Sequence, residues 1–149
     1  MTGPVVNAAI PAVGLPNRAR VVIIGGGVIG TSVAYHLAKL GWNDVVLLER
    51  DQLTSGTTWH AAGLIVSGGM TTETLAWMAK YSRDLYATLE QETGQSTGFN
   101  PVGYLQTGST PERVHKLRRE ADFLRLMGID RHEISGKEAG ELWPHVDAT

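Results

Sequence analysis

The stretch VVIIGGGVIG, residues 21–30, constrains this chain more than any other ten residues in it. A short β-branched run ends at three glycines, and helical spacing begins where they end. VVII has the apolar look of a strand buried on both faces. From Gly30 to Leu40 the apolar residues Val33, Leu37 and Leu40 recur at helical spacing, Ala34 and Ala38 keep the packing surface thin, and Gly41 stands where a C-terminal cap belongs. VVLLE, residues 45–49, reads as a second buried strand. The order strand, helix, strand predicts a parallel β-α-β unit with a right-handed crossover.

The glycines fit the spacing G-x-G-x-x-G at Gly25, Gly27 and Gly30. Gly25 allows a tight turn, Gly27 keeps side chains away from a diphosphate, and Gly30 lets helix and strand pack closely. The first helical N–H groups, around Val28 and Ile29, then face the phosphates with the positive end of the helix dipole behind them. Glu49 lies at the end of the second strand, about 20 residues further on, where a carboxylate can accept from both ribose hydroxyls of an adenosine and repel a 2′-phosphate. The fold class expected is α/β, a Rossmann-like start to a dinucleotide-binding domain, incomplete within these residues.

NAD and FAD share that fingerprint, and the residues after Glu49 decide between them. A simple NAD pattern would soon supply another helix and a third strand, whereas residues 51–69 form a long aperiodic loop dense in Gly, Ser and Thr. Such a loop suits the path of a ribityl chain and a three-ring head, which favours FAD. Within it, SGTTWHAAG places one indole and one imidazole, Trp59 and His60, among small residues.

Beyond the loop, Leu75, Met78, Ala79, Leu85, Tyr86 and Leu89 mark one face of a helix from about Thr72 to Thr93, ended by Gly94. VGYLQTG, residues 102–108, reads as a strand. Thr110 and Pro111 open a helix with Val114, Leu117, Ala121 and Leu124 as its buried stripe and Gly128 as its close. Ser135 and Glu138 form a capping box for a last short helix that Pro144 ends. Arg113, Lys116, Arg118 and Arg119 alternate with Glu112, Glu120 and Asp122, the pattern of a solvated helix face.

Composition narrows the classes. The formal net charge of −2 gives no electrostatic reason to expect nucleic acid or an anionic membrane as partner. The absence of cysteine excludes disulfides, thiolate metal sites and a cysteine nucleophile. Glycine, at 18 of 149 residues, is well above the usual share of about 7%. The apolar content of 42% is enough for a single core at this length. No run reaches the roughly 18 apolar residues of a membrane span. Residues 1–19 read as a flexible leader without the basic start of a secretory signal, and residues 20–149 as the N-terminal part of a larger oxidoreductase domain. His36, His115, His132 and His145 lack mutual metal-ligand spacing and read as structural.

ERDQLTSGTTWHAAGL, residues 49–64, resembles the flavin loop of the dimethylglycine and sarcosine dehydrogenase family, FAD-dependent amine oxidoreductases of the glutathione-reductase and amino-acid-oxidase type. LEQETGQSTGFNPVGYLQTGSTPERVHKLRR and ELWPHVD follow in the order the family has them. The resemblance implies that His60 is bonded covalently to the 8α carbon of FAD. It also implies that Val28, Ile29, Glu49, Arg50, Gly56, Thr57, Thr58, Trp59, Ala61, Ala62, Gly63 and Leu64 line the cofactor site, with Trp59 as a wall. That reading needs His60 near the converging strand tips, not turned to solvent far from them.

For the whole protein the resemblance implies oxidation of an N-methyl amine such as dimethylglycine or sarcosine by hydride transfer to the flavin. The electron acceptor is oxygen or an electron-transfer flavoprotein, and a tetrahydrofolate-binding domain further along captures the one-carbon unit. The setting implied is cytoplasmic, or the mitochondrial matrix in a eukaryote. Catalytic residues are expected beyond Thr149, and the unpaired edge of a two-strand sheet is expected to make this piece alone poorly stable. Two other readings stand beside this one: a noncovalent FAD amine or amino-acid oxidase in which His60 only hydrogen-bonds, and a non-catalytic regulatory relative, in which the resemblance implies that the matching His is absent.

Overall fold

The computed structural model describes Gly14 and residues 16–145, so most of the expected leader and the end of ELWPHVD lie outside the described residues. The order is β1 (Val21–Ile24), α1 (Val28–Lys39), β2 (Val45–Leu48), one 3-10 turn (Thr57–His60), α2 (Glu73–Thr93), α3 (Pro111–Leu126) and α4 (Gly136–Leu142). The chain divides into two compact units, residues 1–62 and 63–149.

In the first unit β1 and β2 pair in parallel, with Val21 opposite Val45 and Ile24 opposite Leu48. The crossover is α1, which packs on both strands. It ends in a Schellman motif: Gly41, at φ +83°, donates its N–H to the Ala38 carbonyl, and Trp42 donates to that of Leu37. The start of β1 is fixed to the start of β2 by the Arg20 amide donating to the Asp44 carboxylate and by the Arg20 guanidinium 3.9 Å above the Trp42 ring.

The strands are not buried on both faces as expected. Ile23 is buried, but Ile24 is 88% exposed and Val22 is also exposed. Two strands and one helix offer only one apolar layer, so every second residue of β1 lacks a covering element among the described residues.

The second unit packs Ala76 of α2 against Leu124 of α3 and Ile129, with Met70, Phe123 and Met127 around them. Leu124 is the one large side chain wholly buried among the described residues. Ile129 reaches it through a second Schellman close, in which Gly128 donates to Arg125 and Ile129 to Leu124. On α2 the buried anchor is Ala76, while Leu75 and Met78 of the expected face are exposed. The α3 stripe is as expected, with Ala121 and Leu124 buried and Val114 and Leu117 half-buried. The caps follow the sequence: Thr72 accepts from the Leu75 amide, Thr110 from that of Arg113, and Ser135 and Glu138 form a reciprocal capping box.

The expected strand over residues 102–108 is absent; the segment pairs with no strand, and Gly103 within it turns at φ +88°. Side chains hold it instead. Gln106 accepts from the Arg131 guanidinium, and Tyr104 lies against Gly68. Of the basic residues on α3, Arg118 makes a bidentate pair with Glu133 at 2.7 Å and Lys116 pairs with Glu120 at 3.7 Å.

Candidate functional site

The site forms where β1 turns into α1. Gly25 adopts φ +101°, a conformation that L side chains rarely reach, and its amide continues the sheet by donating to the Leu48 carbonyl at 2.8 Å. Gly30 is buried so tightly that a Cβ there would stand 1.8 Å from the Gly25 carbonyl oxygen. This is the close helix-to-strand packing for which the third glycine of the fingerprint is needed.

At the end of β2 the Glu49 carboxylate reaches back across the turn. Its Oε2 accepts from the Gly26 amide at 2.6 Å, and its Oε1 accepts from the amides of Arg50 at 2.8 Å and Asp51 at 3.2 Å. The Gly26 hydrogen bond foremost, then those of Asp51 and Arg50, hold this carboxyl below the usual carboxylate range. An ionised carboxylate has about four acceptor positions, and three are used by backbone, so one remains for a ribose hydroxyl. The sequence had implied room for both hydroxyls.

The loop after β2 straps itself onto the same turn. Thr54, at φ +64°, donates its amide to the Gly26 carbonyl at 2.9 Å. Four residues on, the Thr58 hydroxyl accepts from the Val28 amide at 2.9 Å, serving as a remote cap for a helix whose own N-cap, Gly27, has no side chain. The amides of Ile29 and Gly30 have no acceptor among the described residues. These two N–H groups at a helix N-terminus, a glycine-lined approach and one carboxylate at the neighbouring strand end are the donor set that a dinucleotide diphosphate and ribose call for.

Of the residues expected at the site, Gly25, Gly27, Val28, Ile29, Gly30, Glu49, the Arg50 amide and Thr58 come together in this way. Gly56, Thr57, Ala61 and Ala62 are exposed along the loop, and Gly63 and Leu64 belong to the second unit. His60 lies two residues from Thr58, exposed, with its imidazole set against Trp59 at 3.8 Å between ring centroids. Trp59 is 68% exposed and donates its indole N–H to the Ser55 carbonyl at 3.0 Å, so its nearest aromatic neighbour is His60. Two participants were missed from the sequence. Gly26 was readable as the extra glycine of GGG, and a Cβ there would fall 2.5 Å from Leu53. Thr54 left no sequence signal.

No helix among the described residues is long and apolar enough to cross a membrane. No group of three His, Cys, Asp or Glu that could hold a metal ion occurs among them.

Comparison with known proteins places this geometry. The model of the FAD dependent oxidoreductase family, DAO, matches residues 20–149. The chain is 45% identical over 93% of its length to the mitochondrial pyruvate dehydrogenase phosphatase regulatory subunit of Mus musculus. It is 42% identical over 86% of its length to the mitochondrial dimethylglycine dehydrogenase of Rattus norvegicus, and 40% identical over 95% to the mitochondrial sarcosine dehydrogenase of Homo sapiens. It spans 15–16% of the length of these relatives. In fold it is similar to the L-amino acid deaminase from Proteus vulgaris, with a TM-score of 0.72 at 23% identity over 85% of this chain and 30% of that one. A glycine turn, a strand-end carboxylate and a match across nearly the whole chain thus converge, and the chain belongs to the FAD dependent oxidoreductase family.

Proposed function

We propose that this chain is the cofactor-seating part of an FAD-dependent dehydrogenase or oxidase acting on an N-methyl amine such as dimethylglycine or sarcosine, with the flavin attached at His60. The observation that carries the reading is the strap from Glu49 through Thr54 to Thr58. Its three hydrogen bonds to the Gly26–Val28 turn hold the loop that bears His60 beside the candidate diphosphate site.

In this reading the free amides of Ile29 and Gly30 take the diphosphate, and Glu49 orients the ribose through its remaining acceptor position. Thr58 sits against the same turn and can donate its own hydroxyl proton to a phosphate oxygen while accepting from Val28. When bound, FAD supplies the two-electron acceptor for a hydride from the amine's methyl group. His60 contributes a nitrogen nucleophile, and the small side chains of Ala61 and Ala62 leave room for a flat ring edge. The remaining sequence of such a protein would supply the substrate pocket and the folate-dependent capture of the one-carbon unit. The electron acceptor is oxygen or an electron-transfer flavoprotein.

The test is denaturing gel electrophoresis of the full-length protein, read by flavin fluorescence. A fluorescent band that disappears in His60→Ala supports the attachment. A dark band with flavin released on denaturation supports a noncovalent amine or amino-acid oxidase. The 45% identity to a phosphatase regulatory subunit favours a second reading, a non-catalytic subunit that keeps the nucleotide fold. Full-length protein that binds FAD but leaves it oxidised with dimethylglycine, sarcosine and other N-methyl amines would establish that one.

A further inference from the structure

The ring pair Trp59–His60 makes none of the hydrogen bonds that tie the strap to the Gly26–Val28 turn. The indole is fixed at its polar end by the hydrogen bond to the Ser55 carbonyl at 3.0 Å, a contact spanning one turn of the loop. The indole meets the imidazole at 3.8 Å between ring centroids with the planes 41° apart. An exposed His on a loop would otherwise sample several rotamers, and ordering it at the moment of reaction carries an entropic cost.

We infer that Trp59 is a positioning residue for covalent flavin attachment. It holds the His60 imidazole in one orientation before the flavin arrives. The inference rests on the proposed attachment at His60. The step it serves forms a bond from an imidazole nitrogen to the flavin 8-methyl carbon, with loss of the imidazole N–H proton and one methyl hydrogen. The two electrons left on the flavin pass to dioxygen, which takes up two protons and leaves as hydrogen peroxide. As the nitrogen bonds to carbon, the imidazole carries positive charge until its proton departs, and the indole face attracts that charge. Pre-orientation and charge stabilisation both act on the rate of attachment.

The test uses full-length protein prepared without flavin: wild type, Trp59→Ala, Trp59→Phe and His60→Ala. Each is mixed with FAD in air. Binding is read from quenching of free flavin fluorescence, and attachment from fluorescence of the denatured band over time. The expected result is that, at FAD concentrations that saturate each protein, Trp59→Ala attaches the flavin at least about tenfold more slowly than wild type, while Trp59→Phe, which keeps a ring face, recovers most of the rate. Wild-type attachment in Trp59→Ala, with His60→Ala dark, overturns the role of Trp59 alone. Parallel loss of FAD binding and attachment in both Trp59 variants also overturns it, because that is the signature of a merely structural residue. A fluorescent His60→Ala band overturns the attachment reading itself.

Discussion

The Gly26 amide donates to the Glu49 carboxylate at 2.6 Å, tying the glycine turn to the end of β2 before any ligand is bound. The bond holds the Glu49 carboxyl below its ordinary value of 4.5. A group with a depressed folded pKa stabilises the fold fully above its unfolded value, and that contribution is lost as pH falls through the lowered folded value. In full-length protein, the melting-temperature advantage of wild type over Glu49→Gln is therefore expected to shrink on acidification from about pH 6 to about pH 3. An advantage that is constant across that range would refute the assignment. Glu49→Gln is also expected to weaken FAD binding, read by fluorescence titration at neutral pH.

Gly30→Ala places a methyl 1.8 Å from a backbone oxygen, a clash that no side-chain rotation relieves. The expected cost exceeds about 4 kcal/mol, seen as loss of bound flavin and of soluble full-length protein. Gly140→Ala is the control, because Gly140 lies within helix α4 and nothing lies within 4 Å of its Cβ position. It is expected to stay within about 0.5 kcal/mol of wild type. Equal damage from both would show that the packing of α1 on β1 is not what Gly30 serves.

Thr58→Val removes the only acceptor for the Val28 amide among the described residues while keeping the side-chain shape. Loss of a cap of this kind is expected to cost about 1 kcal/mol, and Thr58→Ser is expected to restore it. Urea denaturation of the three full-length proteins measures the difference. If Thr58→Val and Thr58→Ser behave alike, the hydroxyl carries no weight.

Leu124→Ala opens a hole at the wholly buried centre of the second unit and is expected to cost about 2–5 kcal/mol. Leu126→Ala, two residues along the same helix but 86% exposed, is expected to be near neutral. Thermal melts of the full-length variants distinguish them.

What could be read in the sequence was local. The caps at Thr72, Thr110 and Ser135 and the glycine closes at Gly41, Gly94 and Gly128 depend on residues within a few positions of one another, and each lies where the sequence puts it. The strand expected over 102–108 was not local: a strand is completed by hydrogen bonds to another strand, and among the described residues Tyr104 and Gln106 find side-chain partners instead. The exposure of Ile24 and of Leu75 was equally invisible, since periodicity marks an apolar face without naming what covers it. At the site, the fingerprint glycines and Glu49 were legible because each meets a backbone requirement. Thr54 was not, because a threonine at positive φ is imposed by the strap and carries no propensity of its own.

The pairing of Ile24 with Leu48 has a consequence for nucleotide choice. Continued by one residue, that register would set Gly25 across from Glu49, and the residue after Glu49 is a cation. Removing one residue from the short connection ahead of β2 would slide Arg50 to the rung that the carboxylate now holds. A guanidinium there would welcome the extra phosphate that Glu49 repels. Alignment of two short strands, as much as the local sequence, thus decides which side chain stands at that rung.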